Sequence, residues 1–230
     1  MKTIGLLGGM SWESSVEYYR IINEVVRERL GGVHSAQCVM YSFDFAEIEE
    51  LQAVDDWDTA TIRMIAAARQ LERGGAECLL ICTNTMHLMA NDVQAAIDIP
   101  LIHIADPTAE AVKAQEIESI GLLGTRFTME RDFYRGRLEE NFELDVKVPD
   151  EEERTTVHEI IYNELVRGEI KDESRAAYQS IIQQLVEAGV GGVILGCTEI
   201  GLLIKPEHSP VPVFDTTYLH AVAAVDWALS

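Results

Sequence analysis

Two short segments have residue types that could carry acid–base chemistry. One is Thr83-Asn84-Thr85-Met86-His87 and the other is Gly196-Cys197-Thr198-Glu199. Each follows an apolar run, Leu79-Leu80-Ile81-Cys82 in the first case and Val193-Ile194-Leu195 in the second. A cysteine that ends a strand where a helix begins feels the positive helix end, which lowers a thiol pKa and makes a thiolate accessible. Cys197 is therefore expected to take and give a proton. Thr83 holds the matching position about 115 residues earlier. Its hydroxyl is a far weaker acid than a thiol, so it is expected to be the weaker partner, delivering a proton or orienting a substrate. Asn84, Thr85 and Thr198, with nearby backbone N–H groups, are expected to hold a carboxylate as charge builds on it. Glu199 is expected to accept a hydrogen bond from an ammonium group, to orient Cys197, or to cap a helix.

Other residues get plainer readings. Cys82 precedes Thr83 by one residue, so on a strand its side chain turns to the opposite face. It is expected to be buried and inert, like Cys38 and Cys78. His87 sits about one helical turn after Thr83 and either polarises the site or ties its loop. Asp106 and Asp215 are expected to cap helices. Arg126 is expected in solvent.

The elements that must place these residues come in a repeated order. Thr3-Ile4-Gly5-Leu6-Leu7-Gly8 returns as Ser119-Ile120-Gly121-Leu122-Leu123-Gly124, and Pro100 to Asp106 returns as Pro210 to Asp215 with a small gap. Three matches in the same order indicate internal duplication. Short apolar runs alternate with helical periodicity, which predicts an α/β fold with parallel strands. The first half predicts strands at 3–7, 37–42, 78–82 and 100–104, with helices at 12–30, at 57–73 and from 84. The 12–30 helix is expected to bury Val16, Tyr19, Ile22, Val26 and Leu30, with Ser14 and Glu17 as a capping box and Gly31-Gly32 as the stop. The second half predicts strands at 119–123, near 144–148, 192–196 and 211–214, and helices at 127–140, 151–167, 172–188 and 217–229. The expected architecture is two pseudo-symmetric Rossmann-like lobes with parallel sheets and the active site between them. The N-terminal lobe spans 1–104 plus a returning 211–230, and the second lobe spans 105–210. Ligands of such sheets bind beyond the carboxyl ends of the strands. Gly8-Gly9-Met10-Ser11, Thr83-Asn84-Thr85, Gly124-Thr125-Arg126 and Cys197-Thr198-Glu199 fall there. The glycine spacing is not that of a dinucleotide fingerprint, so NAD is rejected.

Composition narrows the partners. The net charge of -21 argues against nucleic acid. No run is apolar for the ~18 residues that a membrane span needs. The N-terminal apolar run is too short for a secretory leader and reads as the first strand of a cytoplasmic protein. The four cysteines lack paired metal-site spacing, so no metal is expected.

Cys82-Thr83-Asn84-Thr85-Met86-His87 and Gly196-Cys197-Thr198-Glu199 together resemble the paired signatures of the aspartate/glutamate racemase superfamily. Leu6-Leu7-Gly8-Gly9-Met10, Leu122-Leu123-Gly124-Thr125, the duplication and the length fit the same family. The chain looks most like the bacterial broad-specificity amino-acid racemases. The resemblance implies a small-molecule amino-acid substrate, no pyridoxal phosphate, no metal and no other cofactor. It implies one acid–base residue per lobe, working on opposite faces of the α-carbon, and a homodimer. By match to the family's first glycine loop, Met10 and Ser11 would supply backbone contacts. The loop after the second strand helps read the substrate side chain in the family. Here it runs Asp44 to Gln52 without a cation, so Gln52 is the candidate contact and neutral or polar substrates are favoured over aspartate. In two-cysteine members the residue before Asn-Thr-x-His is a catalytic cysteine, and this chain has Thr83 instead. A single-cysteine decarboxylase of the same superfamily and a non-catalytic amino-acid-binding protein are the alternatives.

Overall fold

The computed structural model describes residues 1–230 and divides into two compact units. The first comprises Met1–Ile104 and His220–Ser230, the second Ala105–Leu219.

The first unit runs β1 (Ile4–Gly8), α1 (Trp12–Leu30), β2 (Cys38–Ser42), α2 (Phe45–Ala53), α3 (Trp57–Arg73), β3 (Cys78–Ile81), a 3-10 turn (Thr85–Met89) and α4 (Ala90–Ala95). Its strands are all parallel, in the order β2-β1-β3. Side chains alternate across a strand, so β1 feeds two cores. Leu7 packs with Met64, Ala67, Ala68 and Leu71 of α3. Ile4 and Leu6 pack with Tyr18, Ile22 and Val26 of α1 and with Ala221, Ala224 and Val225 near the C-terminus. The 100–104 segment is not a full strand. It makes one parallel bridge, Leu79 to Leu101, supported by the Leu79 N–H donating to Pro100 O and the Ile102 N–H donating to Leu79 O.

The second unit contains α5 (Ala105–Ala114), β4 (Ser119–Gly124), α6 (Arg126–Glu130), α7 (Asp132–Phe142), β5 (Asp145–Lys147), α8 (Glu151–Asn163), α9 (Asp172–Glu187), β6 (Val193–Gly196), α10 (Ile200–Leu203) and β7 (Val213–Asp215). Its parallel strands lie in the order β5-β4-β6-β7. The two orders correspond strand for strand, with the Leu101 bridge standing where β7 stands. The final helix, α11 (Thr216–Leu229), carries the chain back into the first unit. Because β7 pairs with β6, residues 211–219 belong to the second unit, and the return begins at His220 rather than at 211.

Four local expectations need correction. Helix α1 is capped by Ser11, whose Oγ accepts from the Ser14 N–H, so Ser14 is not the cap. Its buried side is Ser14, Ser15, Tyr18, Ile21, Ile22, Val25 and Val26. Val16, Tyr19 and Leu30 share the outward side with Trp12, because α1 carries apolar residues on two faces and its spacing fits either one. The segment after β2 is helical as α2, with Asp44 as its N-cap, and the 127–140 helix is broken into α6 and α7 at Arg131.

Three of the four cysteines are structural. Cys82 is fully buried with its thiol facing Ile4, Leu6 and Tyr18, and burial raises its pKa beyond the ordinary thiol range. Burial pushes Cys78 up to about 12 and the half-buried Cys38 up to about 11. Unfolded thiols ionise near pH ~8.5, whereas the folded Cys82 thiol keeps its proton. The unfolded state then binds fewer protons, so stability falls as pH rises above ~8.5, by about 1.4 kcal/mol per pH unit for this group. Urea unfolding between neutral and alkaline pH is expected to show that slope, and Cys82→Ala is expected to reduce it. An unchanged slope in the variant would place the alkaline loss in other groups.

Candidate active site

Sequence-predicted site residues gather at the carboxyl ends of the strands within each unit. In the first unit, Gly8 and Gly9 end β1 against the backbone of Phe43. A Cβ on Gly9 would sit 2.3 Å from Phe43 O, and its φ of +81° suits glycine alone. The Gly9 N–H donates to Ser15 Oγ (2.8 Å), and Ser15 Oγ donates to Ser11 O (2.9 Å). Ser11 is thus committed to capping α1, and Met10 is in the core with Leu7 and Met86. If these two residues serve a ligand, they do so through the backbone.

Thr83, Asn84 and Thr85 follow β3 directly, and all three are buried. His87 closes the turn behind them. Its Nδ1 lies 2.8 Å from Thr83 O, and its Nε2 accepts from the Ile104 N–H at 3.2 Å. Gln52, at the end of α2, is buried, and its Nε2 reaches Met86 Sδ at 3.2 Å, beside the same turn. The predicted residues of this half are therefore brought together.

In the second unit, β4 and β6 approach so closely that both end in glycine. A Cβ on Gly124 would sit 2.7 Å from Gly196 O, and one on Gly196 would sit 2.9 Å from Leu123 O. Cys197 follows at once, with 8% of its surface exposed. Its Sγ–H donates to Glu199 Oε2 at 3.0 Å, and Thr198 Oγ1 donates to the same oxygen at 2.7 Å. Glu199 itself is buried.

The thiol is not acidified as the sequence predicts. Burial raises the Cys197 pKa well above its ordinary value, and the Glu199 charge and hydrogen bond raise it further. The backbone N–H groups of Glu199 and Thr198 pull the other way and are outweighed. The reason is local: α10 has only four residues, and a carboxylate stands where the helix end would otherwise favour an anion. The resting group is a protonated thiol bonded to a carboxylate.

Asp215 caps α11, its Oδ1 accepting from the N–H groups of Thr217 (2.9 Å) and Tyr218 (3.1 Å). Asp106 does not cap. It forms a two-pronged ion pair with Arg137, at 2.6 and 2.8 Å. Thr217 was missed by sequence reasoning. Its hydroxyl is buried without a hydrogen-bond partner in the protein, beyond the β7 end and thus at the same end of the sheet as Cys197. The recurrence of Asp106 at Asp215 pointed at this turn but drew notice to the carboxylate alone. No group of three or more His, Cys, Asp and Glu side chains is placed to hold a metal ion.

A family model described as Asp/Glu/Hydantoin racemase matches residues 7–224, nearly the whole chain. The chain belongs to this family. It is an isomerase, a racemase by family membership. A candidate Asp/Glu racemase from Yersinia pestis is 54% identical over the full length of both chains, with a TM-score of 0.93. The aspartate racemase homologue PH1733 from Pyrococcus horikoshii OT3 is 36% identical, also over both full lengths, with a TM-score of 0.86. Among curated relatives, the broad specificity amino-acid racemase RacX of Bacillus subtilis (strain 168) is 21% identical over 176 residues, 76% of this chain and 75% of RacX.

The racemase places its remaining sequence candidate, Arg126, at the end of β4. Its guanidinium is half exposed and donates to Thr155 Oγ1 (3.0 Å), while its backbone N–H donates to His158 Nδ1 (3.3 Å). Burial, then the Arg126 charge, lowers the His158 pKa, which suits a neutral ring accepting that bond. No helix of the racemase is long and apolar enough to cross a membrane.

Proposed function

We propose that this racemase interconverts L- and D-amino acids by proton transfer at the α-carbon, without pyridoxal phosphate or another cofactor. Cys197 and Thr83 act on opposite faces of the same carbon. The observation that carries this reading is the Cys197–Glu199 hydrogen bond, which joins a thiol to a buried acceptor for its proton. A zwitterionic amino acid brings an ammonium group, and a nearby positive charge lowers a thiol pKa. Substrate arrival therefore favours the thiolate that burial and Glu199 disfavour. The thiolate takes the α-proton, the electron pair moves toward the carboxylate, and a new C–H bond forms on the other face with a proton from Thr83. Glu199 passes the former thiol proton to solvent and solvent restores the Thr83 proton, so the protons balance over a turnover. Asn84, Thr85, Thr198 and the backbone N–H groups after Met10 and Ser11 hold the carboxylate as charge builds there. Glu199 accepts from the ammonium once the thiol has turned away.

Substrate preference follows from α2. Its charged residues are Glu47, Glu49 and Glu50, with no Lys or Arg, and Gln52 Nε2 reaches Met86 Sδ in the turn after Thr83. Neutral and polar amino acids are the expected substrates, and the reducing cytoplasm is the expected setting for a working thiol. Proton NMR in deuterated water with a panel of L- and D-amino acids tests the proposal. Loss of an α-proton signal without added cofactor supports it. Persistence of every α-proton signal would leave a decarboxylase or a binding protein instead.

The working form is taken to be a homodimer joined through α1. Trp12, Val16 and Tyr19 are 64, 51 and 54% exposed and lie on one side of the helix. A groove of about 640 Å³ lies alongside, lined by Val16, Tyr19, Asn23, Arg27, Val33 and His34. With Leu30 and Val33, this side offers on the order of 500 Å² of apolar surface, against the ~800 Å² per partner of a stable interface. The charges of α1 are mixed along its length, and Glu17 and Glu24 both pair with Arg20 on the helix itself, so the apolar side is what a second copy, related by a two-fold axis, would cover. Val16→Glu with Tyr19→Glu is expected to convert dimer to monomer in sedimentation velocity. A monomeric wild type, or a dimeric variant, would reject this interface.

A further inference from the structure

His87 meets Thr83 through an atom that fixes which ring nitrogen carries the proton. Thr83 O can only accept, so Nδ1 donates to it at 2.8 Å. The Ile104 N–H can only donate, so Nε2 receives it at 3.2 Å as a bare lone pair. The imidazole is thereby a neutral Nδ1–H tautomer joining the carbonyl of Thr83 to the last residue of the first unit's long segment. The ring is also walled in. His103 lies edge-on with ring centroids 4.5 Å apart, and His220 with centroids 5.8 Å apart. His220 is itself fixed: its Nε2–H donates to Ile102 O (2.7 Å) and its Nδ1 accepts from Tyr18 Oη (2.8 Å). His87 is buried, with both ring nitrogens engaged.

We propose that His87 is a positioning residue for Thr83, resting on the assignment of Thr83 as the second acid–base group. Holding the Thr83 carbonyl fixes the peptide plane between Thr83 and Asn84, and with it the direction of the Thr83 Cα–Cβ bond. A hydroxyl is a poor proton donor, so it depends more than a thiol on being held at the right distance and angle. A misplacement of ~1 Å can cost about 100-fold in rate. The ring does not touch the substrate or change its own protonation. It acts by geometry alone.

Two substitutions separate the two halves of this bridge. His87→Asn places an amide N–H near the Nδ1 position and keeps the bond to Thr83 O while losing Ile104. His87→Gln places an amide oxygen near the Nε2 position and keeps the Ile104 bond while losing Thr83 O. In deuterated water, exchange with retention needs only Cys197, whereas inversion also needs the opposite face. Both are read together, the first by NMR and the second by chiral chromatography. His87→Gln is expected to lower inversion by about 10- to 100-fold while exchange at the Cys197 face stays within about twofold. His87→Asn is expected to keep inversion within about threefold of the wild type. Equal losses of exchange and inversion in both variants, or unchanged inversion in His87→Gln, would overturn the proposal. In the wild type, nitrogen-15 NMR of the histidine rings is expected to show a protonated Nδ1 and a bare Nε2 for His87, and the opposite tautomer would overturn it without any variant. A wild type that exchanges no α-proton at all would instead reject the racemisation mechanism on which Thr83 depends.

Discussion

Cys197→Ser abolishes loss of the α-proton from the enantiomer whose α-hydrogen faces residue 197. The expected fall is about 10³-fold, within the range that a positioned acid–base group contributes. Serine is close to cysteine in shape, and Glu199 can accept from its hydroxyl as it accepts from the thiol at 3.0 Å. Folding is therefore retained, and an unchanged melting temperature confirms it. What is lost is acidity. The Cys197 thiol is already hard to ionise in the resting site, because burial and the Glu199 charge both oppose the anion. A substrate ammonium can offset that opposition for a thiol but not for a hydroxyl several pKa units weaker. Glu199→Gln removes the charge and keeps an acceptor for the thiol hydrogen. It is the companion variant, expected to ease ionisation yet take away the relay for the released proton. Full α-proton exchange in Cys197→Ser would mean that another group is the base.

Thr83→Cys has the second large effect, and it runs in the opposite direction. On the proposed mechanism, the carbanion made by Cys197 is expected to be returned its proton on the face it left more often than given one on the other face. Exchange with retention therefore outruns inversion. A thiol at position 83 is a better donor and is expected to raise inversion by about 100-fold. The equilibrium between free enantiomers stays at unity, so the gain appears in both directions of turnover. The backbone at position 83 is held by His87 irrespective of the side chain, because the bond is to the carbonyl. Chiral chromatography of the reaction with each pure enantiomer measures the effect. Unchanged inversion would show that Thr83 only orients the substrate.

The sequence made the placement of the candidate residues more legible than their electrostatics. The apolar runs before Thr83 and Cys197 are strands β3 and β6, and the repeat placed them as equivalents, which the strand orders bear out. The spacing of Asn84, Thr85, Thr198 and Glu199 put all four beside those strand ends. Other features depend on contacts between residues distant in the chain. The choice of α1 face turned on which apolar stripe met β1, and periodicity fitted both. The Leu101 segment has strand composition but pairs only once with Leu79, so it reads as a strand without becoming one. The raised pKa of Cys197 comes first from burial and then from a carboxylate two residues away folding back on it, which neither residue type nor spacing discloses. The bond from His87 to Ile104 joins positions whose proximity only the fold creates.

The first unit is made in two instalments, with the whole second unit synthesised between them. Its core over Ile4, Leu6, Tyr18 and Ile22 is roofed by Ala221, Ala224, Val225 and Ala228. On a ribosome the second unit has its sheet and helices complete while that core still lacks its cover. The half that holds Cys197 can therefore settle first, and the half that holds Thr83 waits for the final helix. A nascent chain stopped at residue 219 is expected to present an apolar slot to chaperones, and the arrival of residues 220–230 closes it.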